Sequence, residues 1–287
     1  MYESLSGRKW LYSVLLIGAA CYFNYYTPYS LWNTTGGFAG NTAWFTLLFS
    51  TFFCVGYLVS TGTNAAAHCT KTGLLLLLLG PLLFAFKITL PFYQLFRLSG
   101  IELLSNKGNI TSWLGGFLWI FMVIALLHRL YEQRWGLYWV SKKIRLLPYL
   151  FMLLFMLPLL VAALAAPSFT TVYPRVQELS RYAGSAISWA EVLFFEVCYL
   201  VDFLSIEFFF RGLLVAVLSR TLGTKVLLPV AFFYFSIHLG KPMPEAIGSF
   251  FGALVLGSVA LQTQSVWGGW IVHAGIALLM ELMSALF

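Results

Sequence analysis

The chain has 287 residues, of which 60% are hydrophobic and 9% charged, with a formal net charge of +7. Soluble domains carry charge on about a quarter of their residues, so this composition excludes a soluble globule and predicts a polytopic membrane protein. The basic residues gather between apolar runs, where they set topology, so the positive balance does not point to a nucleic-acid partner.

Taken in order, the first predicted span runs over about 10–26. Arg8 and Lys9 precede it, but aromatic residues between 21 and 29 replace the small-residue cleavage site of a signal peptide, so the span is read as uncleaved. A Gly-rich loop over 33–41 leads to a second span at about 43–59, and its exit loop holds His68 and Lys71. The third span starts near Gly73 with six consecutive leucines and ends near Tyr93, with Lys87 placed to snorkel toward the interface. A loop over 96–111, carrying a weak Asn109-Ile110-Thr111 sequon, precedes the fourth span at about 113–127. The most basic loop follows, with Arg129, Arg134, Lys142, Lys143 and Arg145, and the positive-inside rule makes it cytoplasmic. Counting back through four spans puts the N-terminus on the same side. The fifth span covers about 147–165. The polar stretch after it, 168–184, suits a short interfacial helix.

From 187 to 218 the chain is apolar but interrupted by Glu191, Glu196, Asp202, Glu207 and Arg211. That length exceeds one span and predicts either a long tilted helix or two helices broken near Ser205. Further segments follow at about 225–239, 246–261 and 267–287. The expected fold is an all-α integral membrane bundle of about eight to ten hydrophobic helices. Four cysteines (Cys21, Cys54, Cys69 and Cys198) show no C-x-x-C spacing, so neither a disulfide framework nor a zinc knuckle is indicated.

The chemistry concentrates in Ser205–Gly212, S-I-E-F-F-F-R-G. Glu207 stands four residues before Arg211, on one helical face and among phenylalanines and leucines. A charge at bilayer depth costs about 2.5–3.5 kcal/mol on insertion scales, and an opposite charge lowers that cost. The pair therefore reads either as a structural ion pair or as part of a site. His238 and His273, also in apolar surroundings, favour a site: a carboxylate, an arginine and two histidines spread over three hydrophobic segments. Glu196 shares a helical face with Glu207, and Asp202 lies one turn before Ile206; both are supporting candidates, as partners of Arg211 or of polar groups elsewhere. A carboxylate in an apolar site can act as a general base, and an imidazole can orient a shared water or donate to an oxyanion. No G-x-S-x-G or H-E-x-x-H competes with this arrangement.

I-E-F-F-F-R-G resembles the E-E-x-x-x-R-G signature of the CAAX-protease and bacteriocin-processing (CPBP) family of glutamic-type intramembrane proteases. Tyr234-Phe235-Ser236-Ile237-His238 is similar to that family's second motif, an aromatic residue four before a histidine, with Tyr where Phe is usual. His273 fits the third motif, a histidine on the last span. Gly248, Gly252, Gly257 and Ser265-Val266-Trp267 also look like the family. The resemblance covers roughly 186–287, so residues 1–185 are read as N-terminal transmembrane helices and loops and 186–287 as the protease-like core. It implies that the glutamate pair and the middle histidine activate water. The last histidine, with an Asn or Asp four residues on, would stabilise the oxyanion. Two positions depart from the pattern: Ile206 stands where the first glutamate would be, and Ala277 stands four after His273. Asp202, on the face of Ile206, is a candidate substitute carboxylate.

The expected function is an intramembrane endopeptidase acting on a membrane-associated peptide or protein substrate in the lipid bilayer. Glu207, Arg211, His238 and His273 would be catalytic, with no cofactor and no metal, in a bacterial-type inner membrane with a cytoplasmic N-terminus. Ile206 and Ala277 support an alternative, an inactive scaffold or immunity-type binding protein that keeps the fold. A transporter or proton relay is the third class, and it predicts paired repeats in both halves.

Overall fold

A computed structural model describes residues 6–99, 108–131, 146–165, 169, 171–182 and 188–286. Arg134, Lys142, Lys143 and Arg145 of the basic loop lie outside these residues, as do Glu102 and Lys107. Every regular element among the described residues is helical. The long helices are Gly7–Tyr26, Gly37–Thr61, Lys71–Thr89, Gly108–Tyr131, Leu146–Leu164, Met243–Thr263 and Trp267–Leu286, with the shorter Leu227–Ser236 between the last two. Among the described residues, six helical stretches are long and apolar enough to cross a membrane. In hydrocarbon a backbone must satisfy its own hydrogen bonds, which is why apolar runs of this length become helices. The protein is an integral membrane helical bundle.

The charged stretch is not broken at Ser205. Helix Trp189–Glu207 continues into a π-helical segment, Phe208–Val215, and on into helix Ala216–Leu222. Its start is fixed by a capping box: the Ser188 hydroxyl accepts from the Glu191 amide at 3.3 Å, and the Glu191 carboxylate accepts from the Ser188 amide at 3.0 Å. Glu191 thus closes the helix N-terminus. π-helical turns are rare and recur at functional sites, and this one begins immediately after Glu207.

The core is largely aromatic. Phe233 lies 5.5 Å from Phe49, 5.2 Å from Phe53 and 5.1 Å from Phe210, ring centre to ring centre. Phe84 adds its ring at 5.2 Å from Phe209 and 5.3 Å from Phe210. Helix Gly37–Thr61 reaches Leu227–Ser236 closely because Gly56 faces Pro229 and Phe232, where a Cβ would collide. Of the three glycines singled out in the sequence, Gly257 allows a close approach of Leu227, while Gly248 and Gly252 face open space.

Hydrogen bonds tie the chain together at both ends of the bundle. At one end Asn24 Nδ2 donates to the Leu239 carbonyl at 2.8 Å and the Tyr25 hydroxyl to the Lys241 carbonyl at 2.7 Å. At the other, Lys9 Nζ donates to the Ser60 carbonyl and Ser60 Oγ to the Lys225 carbonyl, both at 2.6 Å. His68 joins the second end, with Nε2 3.5 Å from Lys225 Nζ.

Candidate active site

Glu207 and Arg211 are both fully enclosed, at 0% and 1% exposure. Arg211 Nη1 donates to Glu207 Oε1 at 2.9 Å, so the four-residue spacing survives the π-helical turn as a direct ion pair. His273, from helix Trp267–Leu286, brings Nδ1 to 3.2 Å from the same Oε1. The other carboxylate oxygen, Oε2, has no hydrogen-bond partner among the described residues; neither do Nε and Nη2 of Arg211. A backbone feature makes room for the carboxylate. A Cβ at Gly269 would collide with Glu207 Oε2, and Gly269 lies one turn before His273. One glycine and one histidine on a single helical face thus frame the glutamate.

Tyr234 holds the site together from helix Leu227–Ser236. Its ring lies under the Arg211 guanidinium, 4.6 Å from centroid to carbon, in a cation–π contact. Its hydroxyl is 3.2 Å from His273 Nε2 and 3.4 Å from Nδ1. Its carbonyl accepts from His238 Nδ1 at 2.8 Å. A carbonyl only accepts, so His238 Nδ1 carries a hydrogen, and in the neutral ring Nε2 keeps the lone pair. The imidazole in direct contact with the carboxylate is therefore His273, and His238 joins the cluster through Tyr234, ring centres 4.6 Å apart. Phe203 covers the other side of His273 at 4.3 Å.

The supporting carboxylates stand elsewhere. Asp202 pairs with Lys87 at 2.6 Å, with side-chain exposures of 12% and 9%. This corrects one expectation: Lys87 does not snorkel to the interface but is held inside, against the face of Gly116. For Asp202 it decides between the two readings, a partner of Arg211 or of a polar group elsewhere, in favour of the second. Burial explains the pairing, since two charges this deep stabilise each other more than either could by reaching lipid headgroups. Ser205 also donates to the Asp202 carbonyl at 2.7 Å. Glu196 makes no contact with Arg211, and its Oε2 is buried with no hydrogen-bond partner among the described residues. Glu281 is a buried polar partner: its carboxylate accepts from the Arg175 and Val176 amides at 2.8 and 3.1 Å.

Those bonds pin a strap of chain across the end of the bundle beside His238. Phe169 and Tyr173 pack with Leu160 and Met280, the Tyr173 hydroxyl donates to Glu245 Oε2 at 3.0 Å, and Arg175 pairs with Glu178 at 3.1 Å. The polar stretch contains the short helix Gln177–Tyr182, as its composition predicts. Between the strap and the 237–241 turn lies a cavity of about 330 Å³ whose walls include Trp32, Pro174, Arg175, Ile237, Gly240 and Lys241. Ile237, the neighbour of His238 in sequence, is part of that lining. Among the described residues no group of three or more His, Cys, Asp or Glu is arranged to hold a metal ion.

Residues 188–279 match the family model described as type II CAAX prenyl endopeptidase Rce1-like. The match spans Glu207, Arg211, Tyr234, His238 and His273, and it bears out the resemblance to CPBP proteases over this stretch. No curated protein and no solved structure matches the chain. The Rce1-like domain thus coincides with the buried charged cluster, in the C-terminal part of a membrane bundle. Two features of the site were underweighted in the sequence. Gly269 has only its one-turn spacing from His273 as a signal. Tyr234 reads in the sequence as an aromatic motif position, and nothing there marks its hydroxyl.

Proposed function

We propose that the protein is an intramembrane endopeptidase that hydrolyses a membrane-associated peptide with water activated at Glu207. The observation that carries this reading is the enclosed carboxylate whose Oε1 is held by Arg211 and His273 while Oε2 has no hydrogen-bond partner among the described residues. A carboxylate fixed on one oxygen and free on the other is oriented to take a proton. In the proposed step the water oxygen attacks the scissile carbonyl carbon and its proton passes to Oε2. The carbonyl π electrons move to oxygen, and on collapse the C–N bond breaks while the leaving nitrogen takes a proton from Glu207. His238, with Nδ1 committed to a backbone carbonyl, offers Nε2 to the same water.

The resemblance gives the oxyanion to His273, but both nitrogens of that ring face protein groups. The Nε–H and Nη2–H of Arg211 have no such partners, so we assign the oxyanion charge to the guanidinium. A fixed cation in an enclosed, low-dielectric site is effective at that task. His273 steadies the carboxylate. The cavity at the 237–241 turn suits the approach of a substrate chain. The positive-inside rule applied to the basic loop supports a cytoplasmic N-terminus.

The test is digestion in lipid vesicles. The purified protein is incubated with the membrane peptide fraction of its host, and new peptide termini are mapped by mass spectrometry. Wild type should generate a defined set of termini and Glu207→Gln should generate none, a loss of at least about 10²-fold. Equal cleavage by both would remove Glu207 from the step, and cleavage by neither would favour the scaffold reading for which Ile206 and Ala277 argue.

A further inference from the structure

Tyr234 touches three members of the cluster, yet the hydrolytic step assigns it nothing. The carboxylate of Glu207 only accepts hydrogen bonds, so the 3.2 Å contact with His273 Nδ1 places the imidazole hydrogen on Nδ1. Nε2 then keeps the lone pair, and the Tyr234 hydroxyl lies 3.2 Å from it and 3.4 Å from Nδ1. Glu207 and Arg211 already balance each other's charge, so a neutral imidazole leaves this enclosed cluster without net charge. In a neutral ring Nε2 is an acceptor, and the phenolic O–H is the donor that faces it.

We infer that Tyr234 is a positioning residue of this site: its hydroxyl donates to His273 Nε2 and thereby locks the tautomer and plane in which Nδ1–H supports Glu207. The inference rests on the hydrolytic reading for its consequence in catalysis, but not for its geometry. It also accounts for the apolar residue one turn after His273. Ala277 is buried, at 3% exposure, and offers no hydrogen bond to the imidazole. The needed donor comes from across the bundle, on helix Leu227–Ser236. The ring itself has a separate task, since Arg211 stacks on it and Phe210 meets it edge-on at 4.9 Å. Phenylalanine would retain that packing and lose only the hydroxyl, so the two roles can be separated by one atom.

The experiment is nitrogen NMR on the full chain in lipid nanodiscs with ¹⁵N-labelled histidine. The four histidines are His68, His128, His238 and His273, and the His273 signals are assigned by their absence in His273→Gln. Wild type should show His273 with Nδ1 protonated and Nε2 unprotonated but hydrogen-bonded. In Tyr234→Phe the Nε2 signal should move by several ppm toward that of a free lone pair, and the second tautomer should become populated. Turnover should fall about tenfold in kcat with KM unchanged, the size of one lost hydrogen bond.

A wild-type spectrum with the hydrogen on Nε2 overturns the inference without recourse to any variant. So does a Tyr234→Phe spectrum in which both His273 nitrogens stay where they were. Neither reading needs a substrate. Glu207→Gln that cleaves like wild type removes the hydrolytic account and leaves the spectra to decide the tyrosine. An inactive Glu207→Gln with His273 unmoved in Tyr234→Phe removes the tyrosine's role and leaves hydrolysis standing.

Discussion

Arg211→Met keeps the length of the side chain and strands the Glu207 carboxylate without its ion-pair partner in a site without solvent exposure. Breaking an enclosed pair from one side costs about 3–5 kcal/mol, whereas replacing both partners costs far less. Unfolding measured in detergent should therefore show Arg211→Met strongly destabilised. Glu207→Gln combined with Arg211→Met should be more stable than Arg211→Met alone, yet hydrolytically dead. If the double variant is as unstable as the sum of the two single variants, the pair is not coupled as described. Gly269→Ala supplies a second test, because the new Cβ meets Glu207 Oε2. It should cost about 1–3 kcal/mol and most of the activity, and normal turnover would show that the carboxylate does not sit there. At this scale the sequence was readable where charge was out of place. Glu207, Arg211, His238 and His273 stand out because ionisable groups are costly in apolar runs. Gly269 and the Tyr234 hydroxyl did not stand out, since glycine and tyrosine are ordinary in membrane helices and their meaning depends on what crosses them in space.

Three elements carry the site: the helix from 189 to 222, Leu227–Ser236 with the turn after it, and Trp267–Leu286. The helix from 189 to 222 crosses the bundle with a π-helical turn immediately after Glu207, and it is anchored midway by the Asp202–Lys87 pair at 2.6 Å. Lys87→Met should destabilise the protein by about 3–5 kcal/mol by stranding Asp202, and Lys87→Met with Asp202→Leu should recover most of that loss. Cleavage by the double variant should remain, because neither residue touches Glu207. Loss of cleavage in a stable double variant would instead make Asp202 the substitute carboxylate that its position beside Ile206 suggests. The sequence placed the helices well, since their length and apolarity follow from the bilayer. It left open whether 187–218 was one helix or two, because a π-helical turn has no pattern of its own in residue types. The destination of Lys87 was misread for a related reason: snorkelling and internal pairing look alike until the partner helix is known.

Across the whole molecule, the Rce1-like segment at 188–279 does not stand apart from the helices before it. Phe49, Phe53 and Phe84 belong to the same core as Phe209, Phe210 and Phe233, and Asn24 and Tyr25 hold the turn that follows His238. Residues 186–287 expressed alone should therefore fail to fold, as judged by protease resistance and dispersity in detergent. A folded, monodisperse fragment would make the first 185 residues a separate unit. The sequence showed which part carries the chemistry, because its polar residues are confined to one half. It could not show that both halves share a core, since a phenylalanine facing lipid and one facing Phe233 are written alike.

The most direct measurement compares membrane and secreted peptides from cells lacking the protein, complemented with wild type, Glu207→Gln or His238→Ala at matched expression. The account predicts a precursor that accumulates without the protein and with either variant, and that only wild type trims. Full restoration of the wild-type peptide pattern by Glu207→Gln would contradict it and make the enclosed glutamate a structural charge.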